Sequence, residues 1–197
     1  MTQAYNACMP PRQTPLPIRW LLSDARNDAV LEDALRALPP NSGFVFRHYH
    51  LDPVGRRQRF YALSALARRS GHLVILSADA ETARQWGADG IYGSPEVLPA
   101  PSTDLLRLAT VHDQGEMQAA NAVSADAAFV SPVFATRSHA GAPVLGPSGY
   151  ARLAAQAEMP VIALGGMTPE RAAALGCARW AAVDWAFGWV GARSERR

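Results

Sequence analysis

Two short stretches hold most of the residues whose types and spacing could do chemistry, and each follows an apolar run. The first reads Ser131-Pro132-Val133-Phe134-Ala135-Thr136-Arg137-Ser138-His139, the second Gly165-Gly166-Met167-Thr168. Hydroxyls and backbone N–H groups can cradle a phosphate, because each donor satisfies an anionic oxygen without a charged side chain. Ser131, Thr136, Ser138, Gly165, Gly166 and Thr168 offer such donors, and the same residues also suit plain turns and a helix cap. Arg47, at another strand end, could clamp a phosphate with two parallel hydrogen bonds, or pair with Asp24 or Asp79. His112 and His139 could move a proton near neutral pH, or be packed or solvated. Asp79, Glu96 and Asp113 are acids that could hold a magnesium ion bridging phosphates, although their spacing forms no motif and helix capping suits them too. Trp180, Trp185 and Trp189 could stack on a flat ring, pack in the core or meet a second copy in a homo-oligomer. The chain shows no zinc-ligand spacing, no nucleophile elbow, and no basic and aromatic interleaving of the kind that binds nucleic acid.

These residues need a scaffold that brings several strand ends together. Apolar runs at Ile18–Leu22, Phe44–Phe46, His72–Leu76, Gly90–Tyr92, Leu105–Val111, Ala127–Val130, Pro160–Leu164 and Arg179–Val183 read as eight strands. Helical spacing joins most of them: after an Asn27-Asp28 cap, over Arg56–Ser70, Ala80–Trp86 and Gln114–Val123, from Ser148, after Thr168-Pro169-Glu170, and over Trp185–Val190. The arginines of the Arg56–Ser70 helix read as a solvated face. Gly93–Thr103 carries three prolines, so one crossover helix is expected to be shortened or missing. A small-Ala-polar corner recurs at Gly87-Ala88-Asp89 and Ser124-Ala125-Asp126, more faintly at Gly176-Cys177-Ala178, as repeated helix-to-strand units would produce. Eight strands without hairpin turns predict a compact (β/α)8 TIM barrel, with chemistry beyond the carboxyl ends of the strands. The open doubly wound sheet lacks its glycine fingerprint after the first strand.

The chain of 197 residues is 49% hydrophobic and 18% charged, enough for one buried core. Residues 1–17 read as a proline-rich leader, 18–190 as one barrel domain, 191–197 as a basic tail. A net charge of +2 without a basic block predicts neither nucleic-acid nor membrane binding. All 19 basic residues are arginine, which excludes a Schiff-base lysine and a P-loop lysine. Two distant cysteines, Cys8 and Cys177, and the absence of a signal-peptide pattern predict a cytoplasmic protein with free thiols.

The Pro-Val-Phe-x-Thr loop of Pro132–Ser138, Leu145-Gly146 and Pro160–Pro169, in this order and spacing, resemble the thiamine phosphate synthase and TenI-like thiazole tautomerase superfamily. The resemblance is best over Ser77–Trp185 and extends to Ile18–Arg47. It implies a TIM barrel, magnesium, phosphorylated thiazole and pyrimidine substrates, and a reaction that couples a pyrimidine pyrophosphate to thiazole phosphate or rearranges the thiazole ring. Of the family's Gln-x-Arg-x-Lys, the arginine is kept as Arg47, between Val45 and Tyr49. Its Asn-Asp pair aligns with Ser77 and Ala78, and Glu96 is the only acid near its second metal-binding position. The pyrophosphate loop aligns with Thr136, Ser138 and His139, which stands where the family has lysine. Gly165-Gly166 keeps the phosphate loop, Trp185 replaces a hydroxyl residue beside Asp184, and Pro132 takes the place of the tautomerase histidine. The expected catalytic residues are thus Arg47, Thr136, Ser138 and His139. Ser77, His112, Ser131, Gly165, Gly166 and Trp185 are expected to bind substrate, and Glu96 or Asp79 the metal. A relative that has lost its metal site and binds a phosphate ligand or a protein is the alternative, with weak or absent synthase activity expected.

Overall fold

Each apolar run becomes a parallel strand, in a computed structural model that describes residues 15–102, 104–136 and 143–183. The strands are β1 Arg19–Leu22, β2 Gly43–Phe46, β3 Leu73–Leu76, β4 Gly90–Gly93, β5 Leu106–Val111, β6 Ala127–Val130, β7 Val161–Ala163 and β8 Trp180–Ala182. They close in sequence order, β8 returning to β1 with Leu21 opposite Ala182. Helices α1 Leu31–Ala37, α2 Pro53–Arg69, α3 Ala80–Trp86, α4 Gln114–Ala122, α5 Gly146–Ala154 and α6 Pro169–Leu175 fill the crossovers. Between β4 and β5 the described residues form only a 3₁₀ turn, Pro95–Val97, where the prolines foretold a missing helix. The helix expected over Trp185–Val190, the first fourteen residues and the basic tail lie outside the described residues.

The strands read as continuous apolar runs because both of their faces are covered. Alternate residues build two cores. Trp20, Leu22, Val45, Ile75, Leu108 and Phe129 fill the barrel, while Leu21, Phe44, Phe46, Val74 and Leu76 pack beneath the helices. Fully burying a side chain of this size is worth about 1.5–3 kcal/mol, so the two layers dominate stability. Trp20 is the largest inner residue; its ring meets Phe129 edge-on at 5.4 Å and occupies the space that a Cβ on Gly43 would need. Its indole N–H donates to Pro17 O at 2.8 Å, and Leu16 packs against the same inner cluster.

The recurring corner has a common mechanism. Gly87, Ser124 and Gly176 all adopt left-handed backbone (φ +72°, +52° and +62°) at the ends of α3, α4 and α6. The next residue then bonds five back, Ala88 N to Ala83 O, Ala125 N to Ala120 O and Cys177 N to Ala172 O. Asp89 and Asp126 add a second bond, each carboxylate accepting a strand N–H, from Val74 at 2.7 Å and Arg107 at 2.8 Å. The third corner lacks the acid and keeps only the turn.

Two local expectations are corrected. Asn27 does not cap a helix with its side chain; it is buried, accepts from Asp24 N at 2.8 Å, and donates to Leu22 O at 3.0 Å and Val183 O at 2.8 Å, tying the ends of β1 and β8. The second helix begins at Pro53 rather than Arg56, because Asp52 caps it by accepting from Val54 N and Gly55 N.

Candidate functional site

The carboxyl ends of the strands form one rim, and the loops after β6 and β7 are laced together on it. Val133 N donates to Leu164 O at 2.9 Å and Phe134 N to Gly165 O at 3.0 Å, while Leu145 N returns to Pro132 O at 2.9 Å. Gly165 and Gly166 lie at φ +96° and +59°. A Cβ on Gly165 would stand 2.7 Å from Pro132 Cα, and one on Gly166 2.5 Å from Ala135 O, so both backbone shape and the neighbouring loop demand glycine. Arg171 bonds Gly166 O and lies over the Phe134 ring at 4.7 Å, closing the loop pair from outside. The amide N–H groups of Gly165 and Gly166 donate to no described residue. These unspent amide donors, beside the hydroxyl of Ser131, suit an anionic oxygen. Thr168 is occupied as the cap of α6, accepting from Arg171 N at 3.3 Å. Ser138, His139 and Trp185, all expected at this site, lie outside the described residues, as does Asp184.

Across the rim, Arg47 is held rather than free. Its Nε donates to Ser23 O at 2.8 Å and Nη2 to Asp24 Oδ2 at 3.3 Å, while its backbone N–H donates to Ser23 Oγ at 2.8 Å. Asp24 thus realises one of the two expected pairings. Asp24 also binds Arg26, with Nε to Oδ1 at 2.8 Å. The Arg26 hydrogen bonds, against an opposing burial effect and with help from the Arg47 charge, hold the Asp24 carboxyl down at about 2. Two guanidiniums share one carboxylate, so Arg26, Asp24 and Arg47 together carry one net positive charge. Tyr92, on the inner face of β4, is buried edge-on to Phe129 at 5.2 Å. Burial pushes its phenol up to about 12 despite the nearby Arg47 charge, so it stays protonated.

Ser77 has both hydroxyl functions in use. It donates to Tyr92 O at 2.9 Å and accepts from the Tyr49 phenol. Arg56 of α2 then joins the two strand ends, Nε to Arg47 O at 2.9 Å and Nη2 to Ser77 O at 2.7 Å, with its guanidinium 5.6–5.8 Å from the rings of Phe46, Tyr49 and Trp86. Arg59 binds Asp28 at 2.8 Å and also Glu32. The solvated-face reading of this helix therefore fails for Arg56 and Arg59. The sequence signal was present in the aromatics around them, but helical periodicity alone could not assign partners on other elements.

The remaining site candidates are engaged in local contacts. His112 is half-exposed at the start of α4, its Nδ1 2.8 Å from Glu116 Oε2, which also accepts the His112 backbone N–H at 2.6 Å. Asp79 caps α3, its two oxygens accepting from Thr82 N at 2.8 Å and Thr82 Oγ1 at 2.7 Å. Asp113 caps α4 in the same way. Glu96 lies on the 3₁₀ turn, its carboxyl held low first by a hydrogen bond from the Ser94 side chain. Magnesium prefers a set of oxygen ligands. Among the described residues neither Asp79 nor Glu96 joins a group of three potential ligands, and each is engaged locally, Asp79 by Thr82 and Glu96 by Ser94.

The one such group among the described residues was not foreseen: Asp28, His48 and His50, with ligand atoms within 4.8 Å of one another. His48 is buried and stacked on Phe46 at 4.5 Å, its Nε2 2.8 Å from Asp28 Oδ1 and its Nδ1 2.8 Å from Ser23 Oγ. Since the carboxylate must accept, Nε2 carries the proton and Ser23 donates to Nδ1. Burial lowers the His48 pKa more than Asp28 raises it. Burial disfavours the Asp28 charge, but hydrogen bonds from His48 and Arg59 outweigh it and its pKa is lowered.

Comparison with known proteins gives a consistent picture. Residues 21–184 match the family model of thiamine monophosphate synthase, TMP-TENI. The thiamine biosynthesis bifunctional protein ThiM/ThiE of Symbiobacterium thermophilum is 31% identical over 172 residues, 83% of this chain and 35% of that protein. The thiamine-phosphate synthase of Laribacter hongkongensis is 32% identical over 121 residues, 58% of this chain and 57% of that protein. The chain therefore spans only about a third to just over half of these relatives' lengths. The thiamine phosphate pyrophosphorylase structure from Pyrococcus furiosus superposes with a TM-score of 0.69 at 22% identity, covering 84% of each chain, a likeness of fold.

Proposed function

Because the chain belongs to the thiamine monophosphate synthase (TMP-TENI) family, we propose that it acts in thiamine biosynthesis as a transferase on phosphorylated thiazole and pyrimidine compounds. The observation that carries this reading is the pair of unspent amide donors at Gly165 and Gly166, in a loop pair whose geometry admits only glycine. They are the binding place proposed for the thiazole phosphate. In the coupling reaction the pyrimidine methylene loses pyrophosphate and the thiazole nitrogen forms the new C–N bond to that carbon. Arg47 is the cation assigned the role of stabilising the departing charge, and its anchoring by Ser23 and Asp24 fixes it in place before the reaction. Protonated Tyr92 and the Ser77–Tyr49 pair would shape the pyrimidine side. The family's magnesium would neutralise pyrophosphate oxygens when bound, although of its two expected carboxylates Asp79 is engaged as a helix cap and Glu96 by Ser94.

That last point favours a second reading, a relative that binds a phosphate ligand without turnover. The two separate on one experiment: purified protein with hydroxymethylpyrimidine pyrophosphate, thiazole phosphate and magnesium, followed for thiamine phosphate. Turnover that Arg47→Ala abolishes supports the transferase. Binding of thiazole phosphate, seen as shifts of the Gly165 and Gly166 amide resonances, without product supports the binder. Neither product nor binding at millimolar ligand refutes both. Missing charges should keep turnover below about 1 per second, since each lost preorganised charge typically costs about 3 kcal/mol.

A further inference from the structure

Outside the proposed phosphate site, the loops after β1 and β2 bring together two imidazoles and a carboxylate that no part of the transferase reading uses. We propose that Asp28, His48 and His50 form a binding site for a first-row transition-metal dication, for which zinc is the probe. The ligand set carries the choice of metal: imidazole nitrogens with one carboxylate suit zinc and its neighbours, whereas magnesium selects oxygen.

The chain builds the set in two steps. Leu51 N donates to His48 O at 3.3 Å, closing a turn that brings the His48 and His50 rings to 5.1 Å, and His48 itself takes φ +39°. The β1 loop supplies Asp28, already 2.8 Å from His48 Nε2. With zinc on Nε2, the His48 proton moves to Nδ1 and is donated to Ser23 Oγ, 2.8 Å away, which is the outer hydrogen bond that metal-bound histidines ordinarily make. Tetrahedral zinc, with bonds near 2.0–2.2 Å, needs ligand atoms about 3.3 Å apart. The present span of up to 4.8 Å closes through His50, which is exposed and free to change rotamer.

Arg59 is the opposing feature, since its Nε donates to Asp28 Oδ1 at 2.8 Å. Its charge is matched by Glu32, so Asp28, Glu32 and Arg59 together still present one net negative charge. Asp28 Oδ2 accepts from no described residue and is the oxygen left for the ion. The bound ion would lie on the outer side of the rim, over the helix layer.

The test is calorimetric titration of the chelator-treated full chain with Zn²⁺, beside His50→Ala and His112→Ala. One equivalent is expected for the unchanged protein and for His112→Ala, with affinity at least about tenfold weaker in His50→Ala. Because His50 is exposed, its variant should fold normally, which thermal unfolding without metal checks. Imidazole nitrogen resonances of His48 and His50 should move with zinc and stay still with Mg²⁺. No stoichiometric binding at micromolar zinc, equal affinity in His50→Ala, or an equal loss in His112→Ala would each overturn the site.

Discussion

Replacing Arg56 by alanine tests whether α2 is a solvated helix or a clamp on the site. The side chain donates to two backbone carbonyls, Arg47 O at 2.9 Å and Ser77 O at 2.7 Å, which terminate adjacent strands. Hydrogen bonds from a charged donor contribute about 1.5–3 kcal/mol each before allowance for replacement by water. Each ring beside the guanidinium adds about 0.5–1 kcal/mol. Burial opposes the charge and lowers the Arg56 pKa, and the partly exposed site lets water recover part of the loss. The net expectation is a destabilisation of about 2–4 kcal/mol. At this chain length that is a fall in Tm of roughly 5–15 °C. Urea denaturation followed by circular dichroism reads it directly, the midpoint shifting at unchanged slope. Arg57→Ala is the internal control, since among the described residues Arg57 meets only Tyr61, at the surface, and the variant should stay within about 0.5 kcal/mol of wild type. Arg56→Lys keeps the charge without the fork and should fall between the two. An Arg56→Ala protein as stable as Arg57→Ala would refute the clamp and restore the solvated-face reading.

Gly165→Ala combines a left-handed backbone with a 2.7 Å approach to Pro132 Cα and should cost at least about 2 kcal/mol, whereas Gly176→Ala, at φ +62° with nothing within 4 Å, should cost about 1 kcal/mol. Equal losses in the two variants on chemical denaturation would show that the β6 loop does not press on Gly165. Stability should also fall with acid in two stages. His48 and His72 have folded pKa values lowered below 6.5 by burial, so the unfolded chain takes up protons first and stability drains as pH falls below 6.5, by up to about 1.4 kcal/mol per pH unit for each group. Asp28 and Glu32, whose folded pKa values are also lowered, add a second loss as pH falls below about 4 towards their folded values. Unfolding free energies that are flat between pH 7.5 and 5 would contradict the neutral buried histidines.

The barrel was legible because the information for it is local and repeated. Most strand residues are apolar, α2, α3, α4 and α6 start at a capping Asp or Thr, α3, α4 and α6 are followed by a left-handed corner, and the proline-rich Gly93–Thr103 segment announced its own lack of a helix. Asn27 shows the limit. An Asn-Asp pair before an amphipathic stretch has the composition of a helix cap, but the closing of β8 onto β1 leaves the Leu22 and Val183 carbonyls to satisfy, and Asn27 is spent on them. No pattern within a dozen residues contains that demand, since Val183 is 156 positions away.

The same distinction decides what could be known of the site. Gly165 and Gly166 were visible because a double glycine after a strand has few other uses, and the structure gives two reasons for it, backbone conformation and loop contact, that would hold with or without a phosphate. Their unspent N–H groups are the part that contacts do not explain, and therefore the part that points to a ligand. Arg47 was visible as a cation at a strand end, but its partner was a choice among acids until the fold placed Asp24 beside it. The histidine cluster was hidden for a stronger reason. Its third ligand is twenty residues from His48 in the chain, on a different βα loop, and neither loop carries a recognisable metal spacing by itself. Barrel closure creates the juxtaposition, so the rim offers two separate chemistries: hydroxyls and amides over β6 and β7 for an oxyanion, imidazoles and a carboxylate over β1 and β2 for a cation. Loss of zinc binding in His50→Ala with thiazole phosphate binding intact would show the two to be independent.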